Sequence, residues 1–175
     1  MDYMIEEHPV LLFFLLFLSM LVFEYIRTFF NEKKGINSKE RQNILDILRT
    51  TIPETEAYIP VYAHWTNQYC KSTNSVHYAL GLTAEKLYII PLQIAGNVIG
   101  YSTFSIIEKG SYKKLDCGKP GGPIHFVHFY DHENNIIFKF MLDEKNTKLS
   151  KGYPVNITQV EEVRNFMEQL EKWSV

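Results

Sequence analysis

Val10 to Phe23, VLLFFLLFLSMLVF, is an apolar run of 14 residues with one serine and no charge. A run of that length is shared by buried helices, signal-peptide cores and membrane spans, so its flanks must separate them. Extension from Pro9 to Ile26 gives 18 residues with Glu24 as the added charge, a helix of roughly 27 Å at about 1.5 Å per residue. Pro9 suits a first helical turn, and Tyr25, Phe29 and Phe30 are residue types that settle at lipid headgroups. The expectation is a transmembrane helix over 9–30.

A cleaved signal peptide needs a positive start and a small-residue cleavage site. The start, MDYMIEEH, instead carries Asp2, Glu6 and Glu7, and the apolar core runs into Glu-Tyr-Ile-Arg-Thr-Phe-Phe. An apolar helix docked on the domain is the other alternative. No Lys or Arg precedes the run, whereas Arg27, Lys33, Lys34, Lys39 and Arg41 follow it. By the positive-inside rule, residues 1–8 form a short extracytoplasmic tail and the carboxy-terminal domain is cytoplasmic, a single-pass arrangement at the cell membrane. Cys70 and Cys117 are too few for a secreted disulfide framework and read as free thiols. The sequon Asn156-Ile157-Thr158 is idle in a cytosolic domain.

The remaining length, about 145 residues, suits one domain. Beyond the first thirty residues there are 16 acidic and 17 basic side chains, which lacks the basic excess of a nucleic-acid binder. The partners expected are the lipid bilayer through residues 9–30 and a protein, with no nucleic acid and no cofactor.

Residues 31–54 read as a juxtamembrane segment: a polar linker from Asn31 to Gly35, then a helix from Ser38 to Arg49 with Ser38 as its cap. From Ala57 the apolar period changes to two. Seven strands follow, over Tyr58–Trp65, Val76–Leu82, Leu87–Ile94, Val98–Glu108, Tyr112–Cys117, Ile124–Tyr130 and Ile136–Asp143, with short polar or glycine-containing connections. In the last, Ile136, Phe138, Phe140 and Leu142 form the core-facing set. The chain closes with an amphipathic helix bearing Val160, Val163, Phe166, Met167, Leu170 and Trp173. Thr158 with Glu161 fits a capping box; a start at Asn156 would pair Val155 with Val160 in a hydrophobic staple.

Tyr78 to Leu92, YALGLTAEKLYIIPL, resembles the strand, LT-x-(E/D)-(K/R)-L turn and apolar strand of bacterial pleckstrin-homology-like and related GRAM-type domains. The ending PVNITQVEEVRNFMEQLEKW resembles their capped closing helix. The resemblance covers about residues 57 to 173, and its motifs are structural, so they speak to fold and not to ligand. It implies an α+β, mainly β fold: transmembrane helix, juxtamembrane helix, then, over 55–175, a PH-like seven-stranded antiparallel barrel or sandwich with a carboxy-terminal helix.

The search for chemistry gives no catalytic, cofactor or metal residue. His125 and His128 are three apart on a strand and point to opposite sides, and His132 falls in the following turn; His64 or His77 would have to join one of them across strands to make a metal site. His132-Glu133-Asn134-Asn135-Ile136 fails the HExxH pattern at its fifth position, there is no G-x-S-x-G elbow, and Cys70 or Cys117 lacks a diagnostic partner. Gly118 to Pro123 has two prolines and a following strand, so it reads as a connection and not a phosphate loop.

Phosphoinositide-binding PH domains carry several basic residues in the first inter-strand loop, whereas Thr66 to Ser75 contains only Lys71. That long polar loop, with Trp65 and Tyr69, is the candidate binding loop, and Trp65 is equally a core anchor. Lys109, Lys113, Lys114 and Lys119 form a candidate lipid-facing basic group, each worth on the order of 1 kcal/mol near an anionic surface. The function expected is a membrane-anchored protein presenting a PH-like protein-interaction or scaffolding module. Peripheral recognition of anionic lipid, and a tethered hydrolase using His125, His128 or a cysteine, are the alternatives.

Overall fold

A computed structural model describes residues 9–36, 38–69, 72–95, 98–119, 123–146 and 155–174, with side chains described for these except at 9–12, 28, 31–36, 67–69 and 72–74. The first helix, α1, spans Pro9–Ile36. Its described side chains from Phe13 to Phe23 are solvent-exposed, and Glu24 and Arg27 then form an ion pair of 3.1 Å on its surface. Among the described residues no helix is long and apolar enough to cross a membrane. The stretch from Phe13 to Phe23 rises only about 16 Å, against the roughly 30 Å of a hydrocarbon core. The expected transmembrane helix over 9–30 is therefore corrected, and with it the single-pass cell-membrane placement and the orientation inferred from its flanking charges. The expected linker Asn31–Gly35 is instead the last part of α1. The expected tail, residues 1–8, lies outside the described residues.

Helix α2, Lys39–Thr51, begins where the sequence signals it: Ser38 is extended and its hydroxyl accepts from the Arg41 N–H. Beyond it come β1 (Ile59–Tyr69), β2 (Ser72–Leu82), β3 (Lys86–Ala95), β4 (Val98–Tyr101), β5 (Ser105–Glu108), β6 (Lys114–Gly118), β7 (Ile124–Tyr130) and β8 (Ile136–Asp143). A short pair, β9 (Lys145–Asn146) and β10 (Ile157–Thr158), precedes the closing helix α3, Val160–Glu171. The main sheet has eight antiparallel strands in the order β4-β3-β2-β1-β8-β7-β6, with β5 also on β3. This corrects the seven-stranded PH-like barrel or sandwich, and nothing in the strand order identifies a PH-like fold. The extra strand arises because Val98–Glu108 is two strands. The Ser102 N–H donates to Pro91 O at 3.2 Å, but Pro91 has no N–H to return the bond, so the ladder to β3 breaks there.

Strands β1 to β3 are apolar on both faces and carry a layer on each. Val61, Ala63, Leu80, Leu82, Leu87 and Ile89 pack with Phe129, Phe140 and Leu142 beneath Val163, Phe166 and Leu170 of α3. The alternate residues Tyr62, Ala79, Tyr88, Ile90 and Leu92 pack against Ile44, Ile47 and Leu48 of α2. Phe138, Phe140 and Leu142 take the core side as the alternation predicts, while Ile136 is exposed beside the turn. Gly81 lies under α2, where an added Cβ would overlap Ile52 Cδ1. Trp173 closes the α3 layer, its indole N–H donating to Ala84 O at 2.9 Å while its carbonyl accepts from the Tyr112 hydroxyl at 3.1 Å.

The two halves of the sheet meet at β1 and β8, which share one bridge, His64 opposite Met141. Where they separate, Gln159 fills the gap. Its Oε1 accepts from Tyr62 N–H at 2.8 Å, and its Nε2 donates to Tyr62 O at 2.8 Å and to Asp143 O at 3.0 Å. Gln159, not Thr158, is thus the residue at the start of α3, and the expected capping box is absent: α3 has no side-chain cap. Its first carboxylates, Glu161 and Glu162, still favour the helix N-terminus. Replacing Gln159 by Leu leaves three backbone groups without their partner in a buried seam, so urea unfolding should show a loss of about 3 kcal/mol, and a loss under about 1 kcal/mol would refute the seam assignment.

Candidate functional site

The polar stretch Thr66–Ser75 forms no long loop. Strands β1 and β2 continue through it in register, from Thr66 opposite Ser75 to Tyr69 opposite Ser72. The Tyr69 side chain and Lys71 lie outside the described residues, so of the candidate loop only Trp65 has a described environment. Trp65 is half-buried and belongs to neither core layer. Its ring meets the edge of His128 at 5.7 Å between centroids, and Lys139 Nζ stands 4.3 Å above it. A cation at that distance from an indole face is attracted by the ring quadrupole.

These contacts belong to a strip on the outer face of the β6–β8 half of the sheet. Register places Lys114 opposite Tyr130, Asp116 opposite His128, and His128 opposite Lys139. All five therefore share the face away from Val127, Phe129 and Phe140. Lys114 Nζ is 3.6 Å from an Asp116 carboxylate oxygen and 5.3 Å from the Tyr130 ring centre. Tyr130 meets His128 edge-on at 6.2 Å. Burial lowers the His128 pKa, the facing Asp116 opposes that shift and Lys139 adds to it. The imidazole is neutral near pH 7, and its Nε2 is buried without a hydrogen-bond partner among the described residues. Sequence parity puts these five residues on one face, and Trp65 of β1 joins them through its ring contacts with His128 and Lys139.

The four candidate lysines do not converge. Lys113 Nζ donates to His132 O at 3.4 Å and to Asn134 Oδ1 at 3.3 Å, Lys114 faces Asp116, and Lys119 lies 3.6 Å from Glu144. Lys109 is exposed in the β5–β6 connection.

His125 Nε2 is 3.5 Å from Glu144, on the opposite side of β7 from His128, as their spacing predicts. His64 and His77 are opposite one another on β1 and β2, and His77 Nδ1 shares a 2.7 Å hydrogen bond with the Tyr62 hydroxyl. Among the described residues no group of three or more His, Cys, Asp and Glu could hold a metal ion. Burial, then the neighbouring Asp116 and Glu171, push the Cys117 thiol up to about 11, so it is protonated and a poor nucleophile at neutral pH. Cys70 lies outside the described residues. An open cleft lies between α2, β1 and α3, lined by Ile44, Leu45, Pro60 and Gln159 and crossed by the Arg41–Glu162 ion pair. The hydroxyl–imidazole contacts among the described residues are Tyr62 with His77 and, at 3.3 Å, Thr66 with His64 Nδ1.

No protein-family model, curated protein or solved structure matches the chain.

Burial lowers the His77 pKa from 6.5, so the unfolded chain binds the proton more readily than the fold does. Stability should therefore be complete above pH 6.5 and decline as the pH falls from there toward the folded pKa. Urea midpoints between about pH 7.5 and 5 test this, and His77→Phe should make the profile shallower, leaving the part that His128 contributes. A profile unchanged by the substitution would show that His77 is not its source.

Proposed function

We propose that this chain is a protein-interaction or scaffolding module, a β-sheet domain bearing an apolar helix that a partner covers. The observation that carries the reading is α1. Seven described aromatic side chains, Phe13, Phe14, Phe17, Phe23, Tyr25, Phe29 and Phe30, are exposed by between 46% at Phe29 and 73% at Tyr25. At about 200 Å² per ring they expose roughly 800 Å², which is what one side of a stable protein–protein interface contributes. None of the described α1 side chains belongs to either core layer. The outer strip of Trp65, His128, Tyr130 and Lys139 supports the same reading, since aromatic and cationic anchors are common in interface centres.

Peripheral association with lipid through residues 9–30 is a second reading. It is favoured by the exposure of every described side chain from Phe13 to Arg27, which leaves α1 apolar around its circumference and not along one stripe. Recognition of anionic headgroups by Lys109, Lys113, Lys114 and Lys119 draws less support, because three of the four already face groups of the same chain.

Crosslinking and pull-down with the full chain should capture a protein whose yield falls at least about tenfold when Phe14, Phe17 and Leu21 are changed to Ser, while the domain keeps its unfolding midpoint. Capture unaffected by these changes would remove α1 from the interface and overturn the reading. Flotation with neutral and with anionic vesicles separates the lipid readings. Equal binding to both, lost in the same variant, supports association through α1, and binding to anionic vesicles alone supports the lysines. Flotation with neither sinks both.

A further inference from the structure

Strands β4 and β5 lie end to end along the same edge of β3. The bond from Ser102 N–H to Pro91 O fixes the alternation in β4, so Val98 and Gly100 turn their backbone groups toward β3 and Ile99 and Tyr101 turn theirs outward. In β5 the bond from Lys109 N–H to Glu85 O does the same, leaving Ile106 facing outward. We propose that this edge pairs with the same edge of a second copy of the chain, in an antiparallel, two-fold arrangement that extends the sheet across the dimer. The inference rests on the interaction-module reading and names one partner for it.

Charge is the first argument. Val98 to Ile107, VIGYSTFSII, contains no charged residue, so two copies bring no like charges together. The opposite edge, β6, presents Lys114 and Asp116 at exposed positions, the usual protection of a sheet edge against pairing. On the β4–β5 side the charge is confined to Glu108, at the end of β5. The second argument is apolar exposure: Val98 is 70% exposed, Tyr101 53%, Phe104 44% and Ile106 42%. Gly100 is the third. A Cβ there would meet nothing closer than Gln93 O at 3.9 Å, so packing within this chain does not require glycine, whereas close approach of another backbone would. An antiparallel pair of identical strands is its own two-fold mate, and the pairing therefore closes at a dimer. The exposed apolar area is small, which places the contact at the weak end of specific interfaces.

The test uses the full chain in a mild detergent that covers α1. Sedimentation between about 1 and 100 µM should show the protein mass doubling. Hydrogen exchange at the Ile99, Tyr101 and Ile106 amides should slow at least about tenfold over the same range. Val98→Lys with Ile106→Lys should remain monomeric with unchanged far-UV circular dichroism. Tyr101→Pro, which removes an outward N–H and no ladder bond, should do the same, so the test survives if either variant misfolds. A monomer throughout, a dimer protected elsewhere, or a dimer retained in a folded variant overturns the proposal. A monomer that still captures a partner through α1 overturns the edge pairing alone and leaves the interaction module standing.

Discussion

The buried side chain of Gln159 holds the two halves of this sheet together. Strands β1 and β8 share one bridge, His64 opposite Met141, before they part. Beyond it the Gln159 amide exchanges two hydrogen bonds with Tyr62 and gives a third to Asp143, as a residue of an intervening strand would. The same residue bonds through its backbone, its N–H donating to Glu144 O and its carbonyl accepting from Val163 N–H at the first turn of α3. One residue thereby joins β1, β8 and the closing helix. Removing a buried polar group costs most where its partners have no access to water, and this seam has several such partners.

The two halves then divide their tasks. The core portions of β1 to β3 are buried on both sides, with α3 on one face and α2 on the other. Strands β6 to β8 bury one face only. Their other face carries His128, Tyr130, Lys139 and Asp116, aligned by the cross-strand register, with Trp65 of β1 against His128 and Lys139. Slippage by one residue would send Phe129 and Phe140 outward and His128 inward. Stability of the core and exposure of the strip are consequences of one alternation.

That alternation is what the sequence displays most openly. Ile124–Tyr130 and Ile136–Asp143 were legible to their end residues, and α2 and α3 to within about two, because period 2 and period 3.6 are local properties. The break in Val98–Glu108 was less visible, since its cause, Pro91, sits on the neighbouring strand. Thr158 and Glu161 satisfy the capping pattern, but tertiary demand for an amide at the seam makes Gln159 the pivotal residue. Thr66–Ser75 looks like a loop because it is polar, yet a hairpin extending past the core needs no apolar face. Trp65 stands out in the sequence as an aromatic beside a polar stretch, but its neighbours His128 and Lys139 lie more than sixty positions away, and no local pattern joins them.

Energetic scale links α1 to the rest. Covering the roughly 800 Å² of its exposed aromatic surface would release on the order of 20 kcal/mol before the costs of association are set against it. A domain of this size is stabilised by only about 5–15 kcal/mol in total. The gross apolar free energy exposed on the helix is thus of the same order as the net stability of such a fold. Gly81 and Ile52, where α2 seats on β2, tie the start of the sheet to the segment that follows α1. The segment that follows α1 is thereby seated on the sheet that Gln159 bridges. The proposed scaffold reading draws on that combination: an exposed apolar helix beside a sheet whose outer strip carries aromatic and cationic side chains.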